Sequence, residues 1–192
     1  MLQRVATYGN LLQHVAPCCK ILQHAPRRKK LLKCREPSTN GCKMLNNVAT
    51  RCIMLQRVAT CHEAIKAGAD EALLMDKNGF ISEGSGENIF LVKNNLITTP
   101  RTEHCLNGIT RQSVIQIAKD FGYEVLEKDL TYEDLVGSDE AFFSGTAVEI
   151  TPISKIDSNI IGTGSRGEVT AKLQNTYSEI VSGKNDIYKN WL

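Results

Sequence analysis

The residue types best suited to chemistry gather at positions 82–90, Ser-Glu-Gly-Ser-Gly-Glu-Asn-Ile-Phe, where two carboxylates sit among glycines at the mouth of a strongly apolar strand. Glycine lets the backbone take turn geometry and come close to a ligand, and Glu83 or Glu87 could hold a cationic partner in a partly dry place. The competing reading is an ordinary hairpin loop with solvated acids, because Gly, Ser and Asn dominate such turns.

Two further segments could bind an anion. Leu106-Asn107-Gly108-Ile109-Thr110-Arg111 runs into a stripe of apolar residues at Val114, Ile115, Ile117, Ala118 and Phe121, the pattern of an amphipathic helix stopped at Gly122. A Gly beside a Thr at a helix start leaves backbone N–H groups pointing outward, and the helix dipole adds partial positive charge. Plain N-capping is the alternative. Ala141-Phe142-Phe143-Ser144-Gly145-Thr146-Ala147 then carries an apolar strand into a turn of small residues that exposes N–H groups and a hydroxyl.

The elements around these segments read consistently from residue 62 onward. His62–Gly68 is the tail of a helix, and Glu71–Met75 is a strand followed by an Asn78-Gly79 hairpin turn. Strands at Asn88–Lys93 and Leu96–Thr99 join through Asn94-Asn95, and Tyr123–Lys128 forms another. Thr131 with Asp134 has the spacing of a capping box. Further strands at 150–156 and 159–161 precede a helix at about 168–181, and Trp191-Leu192 is expected to cover an apolar edge. Strands with hairpins interspersed with helices imply an α+β fold on a largely antiparallel sheet.

Residues 1–61 differ in kind. They hold eleven Lys or Arg against one acid, whereas 62–192 hold twelve basic and twenty acidic side chains, so the overall +2 conceals a +10 segment joined to a −8 segment. Six of the seven cysteines also lie before residue 62. Met-Leu-Gln-Arg-Val-Ala-Thr occurs identically at 1–7 and 54–60, with degenerate copies between, several of them ten residues apart. That step matches neither supercoiled helices nor solenoid units, so the expectation is a repetitive basic leader that does not pack. Irregular Cys and His spacing without a Cys-x-x-Cys pair argues against a metal centre. The Arg27–Lys30 run lacks the interleaved aromatics of a nucleic-acid groove, so nucleic acid is not an expected partner. An Arg-rich, acid-poor start shares features with organellar transit peptides, which its cysteines and prolines fit poorly. With no apolar run long enough to cross a bilayer and no signal peptide, the expectation is a cytoplasmic chain with reduced cysteines and no membrane partner.

Taken together, Asp70–Asp76, Ser82–Phe90, Leu106–Arg111, Phe142–Pro152, Glu168–Gln174 and Trp191-Leu192 resemble the C-terminal domain of branched-chain amino acid aminotransferases, class IV enzymes that use pyridoxal phosphate. The resemblance covers about residues 63–192 and implies the fold-type IV architecture, a mainly antiparallel pseudobarrel with flanking helices. It also implies that Glu83 pairs with the pyridine nitrogen of the cofactor. Gly108, Ile109, Thr110 and Thr146 would contact its phosphate, and Ala147 would offer its N–H to the substrate carboxylate. Ser82, Asn88 and Arg111 would take supporting roles. The implied reaction moves the amino group of leucine, isoleucine or valine to 2-oxoglutarate in a protein that dimerises with a second copy. The family's spacing from Glu83 puts the Schiff-base lysine at Ala49; Lys43 is the nearest candidate and stands several residues early. The sequence therefore leads us to expect a truncated domain (62–192) fused to an unrelated leader. Two alternatives remain open at this stage: a catalytically dead remnant that binds the cofactor or dimerises, and a D-amino acid aminotransferase or aminodeoxychorismate lyase with the same glutamate position.

Overall fold

A computed structural model of the chain describes residues 3–8, 58, 60–76 and 78–191. The strands are β1 (Gln3–Tyr8), β2 (Glu71–Met75), β3 (Ile81–Gly84), β4 (Asn88–Lys93), β5 (Leu96–Thr99), β6 (Glu124–Glu127), β7 (Glu140–Gly145), β8 (Glu149–Ile156) and β9 (Asn159–Ile160). The helices named here are α1 (Ile109–Asp120), α2 (Tyr132–Val136) and α3 (Glu168–Val181). A helical segment over 60–66 precedes β2, and a 3-10 helix spans Asp186–Trp191.

The strands form one sheet in the order β3-β2-β1-β8-β7-β4-β5-β6, with β9 on β8. Most pairings are antiparallel, as alternation of strands with tight turns predicts; the parallel ones are β1 with β2, β1 with β8, and β5 with β6. The Asn94-Asn95 turn takes positive φ at both residues, 50° and 62°, the geometry that matches the twist of a two-residue hairpin. The sheet curls so that β3 comes back against β4.

Curling buries both faces of the middle strands, which is why β4 reads as an unbroken apolar run rather than an alternating one. Ile89, Leu91, Ala141 and Phe143 point into the curl with Val5, Leu73, Ile81, Ile153 and Ile156. Phe90, Val92 and Phe142 point the other way, under α1 and α3, against Val114, Ile117, Val169 and Leu173. Register places Phe90 opposite Phe142, with their rings stacked at 5.1 Å. Such a pair adds about 0.5–1.5 kcal/mol beyond the area it buries. Helix α3 is fixed to the sheet by Glu140, which accepts the N–H groups of Val169 and Thr170 at its first turn. Trp191 packs on Tyr188 at 4.6 Å, and Tyr188 donates to Asp120 at the end of α1.

The expectation that residues 1–61 form an unpacked leader fails for Gln3–Tyr8. Those residues are the strand that joins the β3-β2 hairpin to the rest of the sheet. Asp70 accepts the Arg4 N–H at 2.8 Å and donates its own N–H to the Arg4 carbonyl at 2.7 Å, while Val5 is 1% exposed. A six-residue strand whose partners lie about 65 and 150 residues away in the sequence leaves no local signature, so a search for repeats and helical periods misses it. Thr60 is also buried.

The capping box of α2 is formed as its spacing predicts. Thr131 Oγ1 accepts the Asp134 N–H at 3.1 Å, and Asp134 accepts the Thr131 N–H at 3.0 Å. The Thr131 N–H, followed by Lys128, holds the Asp134 carboxyl below its ordinary value, so the stability it contributes is present above that value and is lost as pH falls through the depressed one. Replacing Thr131 by Ala should lower stability by about 1 kcal/mol, and replacing Asp134 by Asn should remove a contribution that urea midpoints show shrinking below about pH 4.

Candidate functional site

Glu83 lies at the end of β3, where Ile81 is fully buried and its N–H is bonded to the Leu130 carbonyl. The Glu83 side chain is 4% exposed, and its Oε2 accepts the Leu106 N–H at 2.9 Å. The carbonyl of the same residue, Leu106, accepts Asn88 Nδ2 at 2.7 Å. One peptide segment is thus held on both sides, by the acid that closes β3 and the amide that opens β4. Ser82 Oγ donates to the His104 carbonyl, and the His104 ring lies between Asp76 (3.4 Å) and Asp129 (3.5 Å). The loop that feeds α1 is therefore fixed along much of its length.

At the start of α1, Gly108 is the N-cap in an extended conformation; it has no side chain to cap the helix, and the first turn contains no acid. A Cβ at Gly108 would lie 2.6 Å from Asn88 Oδ1, so this cradle has no room for a larger residue. Arg111 in the same turn is 2% exposed. It donates to the Pro100 carbonyl (3.0 Å) and to Glu127 (2.7 Å), while its Nε is buried with no partner among the described residues. A buried guanidinium beside an uncapped helix N-terminus adds positive potential to the one already there, an arrangement that suits an anion. Thr110 is 5% exposed with its hydroxyl 3.5 Å from Tyr177 Oη, whereas the Ile109 side chain is exposed. Any contact by Ile109 would therefore be through its backbone.

The third segment adjoins the first. Asn88 pairs in register with Ser144, and a Cβ at Gly145 would lie 3.3 Å from Glu87 Cγ. The turn at Thr146 and Ala147, both exposed, thus opens at the same end of the sheet as Glu83 and Gly108. Sequence-predicted residues Glu83, Gly108, Ile109, Thr110, Thr146 and Ala147 are brought to one rim. Lys43 lies outside the described residues. Two contributors escaped sequence reasoning: Glu71, whose Oε1 accepts the Ala72 and Ser85 N–H groups, and Leu106, which acts through its backbone alone. The apolar run that follows it in β2 disguised the first, and no side-chain pattern could reveal the second.

Residues 21–156 match the family described as Amino-transferase class IV. The chain belongs to that family. The match begins within the stretch that sequence composition set apart as a leader. The chain is 49% identical over 129 residues to the branched-chain-amino-acid aminotransferase of Pseudomonas aeruginosa, covering 67% of this chain and 42% of that protein. Against the enzyme of the same name from Escherichia coli K12 the identity is 44% over 131 residues, with 68% and 42% covered. Among solved structures, the T.th. branched-chain amino acid aminotransferase with pyridoxamine 5'-phosphate superposes with a TM-score of 0.71 at 46% identity, covering 72% of this chain and 46% of that one. The same enzyme is known complexed with N-(5'-phosphopyridoxyl)-L-glutamate, again with a TM-score of 0.71. The chain thus spans a little under half the length of these relatives. Class IV aminotransferases use pyridoxal phosphate, and the α+β fold with its curled sheet is the one shared with them.

The contact between Gly108 and Asn88 sets a test of the loop clamp in this family member. Gly108→Ala and Asn88→Ala should each lower stability by about 1–3 kcal/mol, the first by collision and the second by removing the donor to the part-buried Leu106 carbonyl. Thermal melting of the double variant should show a loss smaller than the sum, because removing the Asn amide makes room for the new methyl group.

Proposed function

We propose that this chain binds pyridoxal phosphate at the rim formed by Glu83, Gly108–Thr110 and Thr146, and that it serves transamination of branched-chain amino acids with 2-oxoglutarate. The observation that carries the reading is the pairing of a buried carboxylate, Glu83, with an uncapped helix N-terminus two residues beyond the peptide group that it holds. The donor set suits the cofactor: a carboxylate for a ring cation, and N–H groups reinforced by Arg111 for a phosphate. The names of the relatives support the branched-chain substrate class.

When bound, pyridoxal phosphate would supply an aldehyde that accepts an amino group and passes it on, and a ring that withdraws electrons. Glu83 would keep a proton on the ring nitrogen, which maintains that withdrawal. The N–H groups of Gly108, Ile109 and Thr110, with the Thr110 and Thr146 hydroxyls, would bind and orient the phosphate. Ala147 would present its N–H to the substrate carboxylate. A lysine has to carry the covalent attachment and move the proton at the substrate Cα. Lys43 is the candidate for that role, and a second copy of the chain is the expected partner.

A second reading rests on the fraction of the relatives' length that the chain spans: binding of the cofactor, or dimerisation, without turnover. Absorbance titration of the full chain with pyridoxal phosphate, followed by borohydride reduction and peptide mapping, separates the two. A reduced adduct on Lys43, with amino-group transfer from leucine, supports the enzyme reading; colour with no labelled lysine supports binding alone. Absence of saturable binding sinks both cofactor readings. Glu83→Ala and Thr110→Ala are expected to weaken binding by about tenfold or more, the loss of about 1.4 kcal/mol or more of charge-assisted contact.

A further inference from the structure

Behind Glu83, two more acids meet. Glu71 of β2 is 6% exposed, and its Oε1 accepts the N–H of Ala72 at 2.6 Å and that of Ser85 at 3.3 Å. Two backbone donors on one oxygen mark the Glu71 carboxyl as a hydrogen-bond acceptor in this loop. The Glu87 side chain folds back over the loop: its Oε2 lies 2.6 Å from the position a Gly84 Cβ would take, and its Cγ lies 3.3 Å from that of Gly145. Glu87 therefore fills the space between the loop that carries Glu83 and the turn that carries Thr146. Its own carbonyl accepts the Gly84 N–H at 2.7 Å, closing the loop beneath it.

Glu87 Oε2 is buried, yet among the described residues no N–H or O–H reaches it. Glu71 reaches the same loop, at the Ser85 N–H, and is the charged group that acts most on Glu87. Two carboxylates in contact at a buried place repel each other, whereas one carboxylic acid and one carboxylate form a strong hydrogen bond through the shared proton. The orphaned oxygen is thus accounted for if it bears a proton itself.

We propose that protonated Glu87 donates a hydrogen bond to the Glu71 carboxylate, and that this shared proton makes Glu87 a positioning residue that fixes Glu83 and the Thr146 turn relative to each other. Glu87 touches neither cofactor nor substrate in this scheme; it acts through the two anchoring segments. The groups facing the pair among the described residues are Cys61 of the helical segment over 60–66, whose thiol is pushed up by burial and by both acids, Ser85 and the Gly86 N–H. None is a cation, so no competing charge from these residues neutralises the two acids. Burial, followed by the charge of Glu71, raises the Glu87 carboxyl to about 7, in keeping with this geometry.

A folded-state value raised from 4.5 to about 7 means that the folded chain binds this proton more tightly than the unfolded chain does. The stabilisation is complete below the lower value, is lost as pH rises towards the higher one, and stays lost above it.

The test rests on the cofactor reading only for its ligand arm. Melting midpoints and pyridoxal phosphate affinity of the full chain are measured at about pH 5.5 and about pH 8.5 for the unaltered protein, Glu87→Gln and Glu87→Ala. The unaltered protein should lose midpoint and about tenfold in affinity at the higher pH. Glu87→Gln, a permanently neutral donor of similar shape, should hold the low-pH values at both. Glu87→Ala should bind weakly throughout; should it fail to fold, the Gln variant decides. The same pH response in the Gln variant as in the unaltered protein overturns the proposal, as does an unaltered protein whose midpoint is indifferent to pH over this range. If pyridoxal phosphate binds nowhere but the midpoint falls with rising pH only when Glu87 is intact, the shared proton stands and the cofactor reading falls.

Discussion

The organisation of the site depends on a single peptide segment, the backbone of Leu106, held from both sides. Its N–H goes to Glu83 and its carbonyl to Asn88. Both bonds are only part-buried, so each adds about 0.5–1.5 kcal/mol, more where the charged Glu83 is the acceptor. Its geometric effect is larger than its energy. It fixes where the chain leaves the β3-β4 end of the sheet and enters α1, and thereby sets the distance between a buried carboxylate and a helix N-terminus. Two features that are each ordinary alone become a candidate site because one stretch of backbone fixes their separation.

Electrostatics around this clamp is divided by sign. On the α1 side, Arg111 and the uncapped first turn accumulate positive potential, offset in part by Glu127. On the β2 side, Glu71, Glu83 and Glu87 accumulate carboxyl groups, with backbone donors on the first two. A small molecule with a cationic ring at one end and a phosphate at the other matches this polarity along its length.

Much of the fold was legible because local rules and packing agree from residue 62 onward. The Asn94-Asn95 turn, the capping box at Thr131, the glycine stops at Gly68, Gly122 and Gly183, and the span of α3 all follow from residue types at short spacing, and each is present. The candidate site was legible in part. The helix start at Gly108 and Thr110 follows from position, but Glu83 could be ranked over Glu87 only by resemblance to a family, since composition treats the two acids alike. Burial separates them: Glu83 is held by a backbone donor, and Glu87 has an oxygen with none among the described residues. That distinction is created by tertiary contacts between β2, the glycine loop and β7, which no window of sequence contains. The strand β1 was illegible for a related reason, as both of its partners are far away in the chain.

The duplicated heptapeptide gives the sharpest instance of context ruling over composition. Val5 in its first copy is a strand residue buried between β2 and β8, whereas Val58 in its second copy is helical and 65% exposed. The same side chains thus serve opposite secondary structures within one molecule, as local preferences of a few tenths of a kcal/mol per residue permit when surroundings weigh more. Duplication alone therefore conferred no shared shape, and the older habit of inferring like conformation from like sequence would here misplace the strand that completes the sheet.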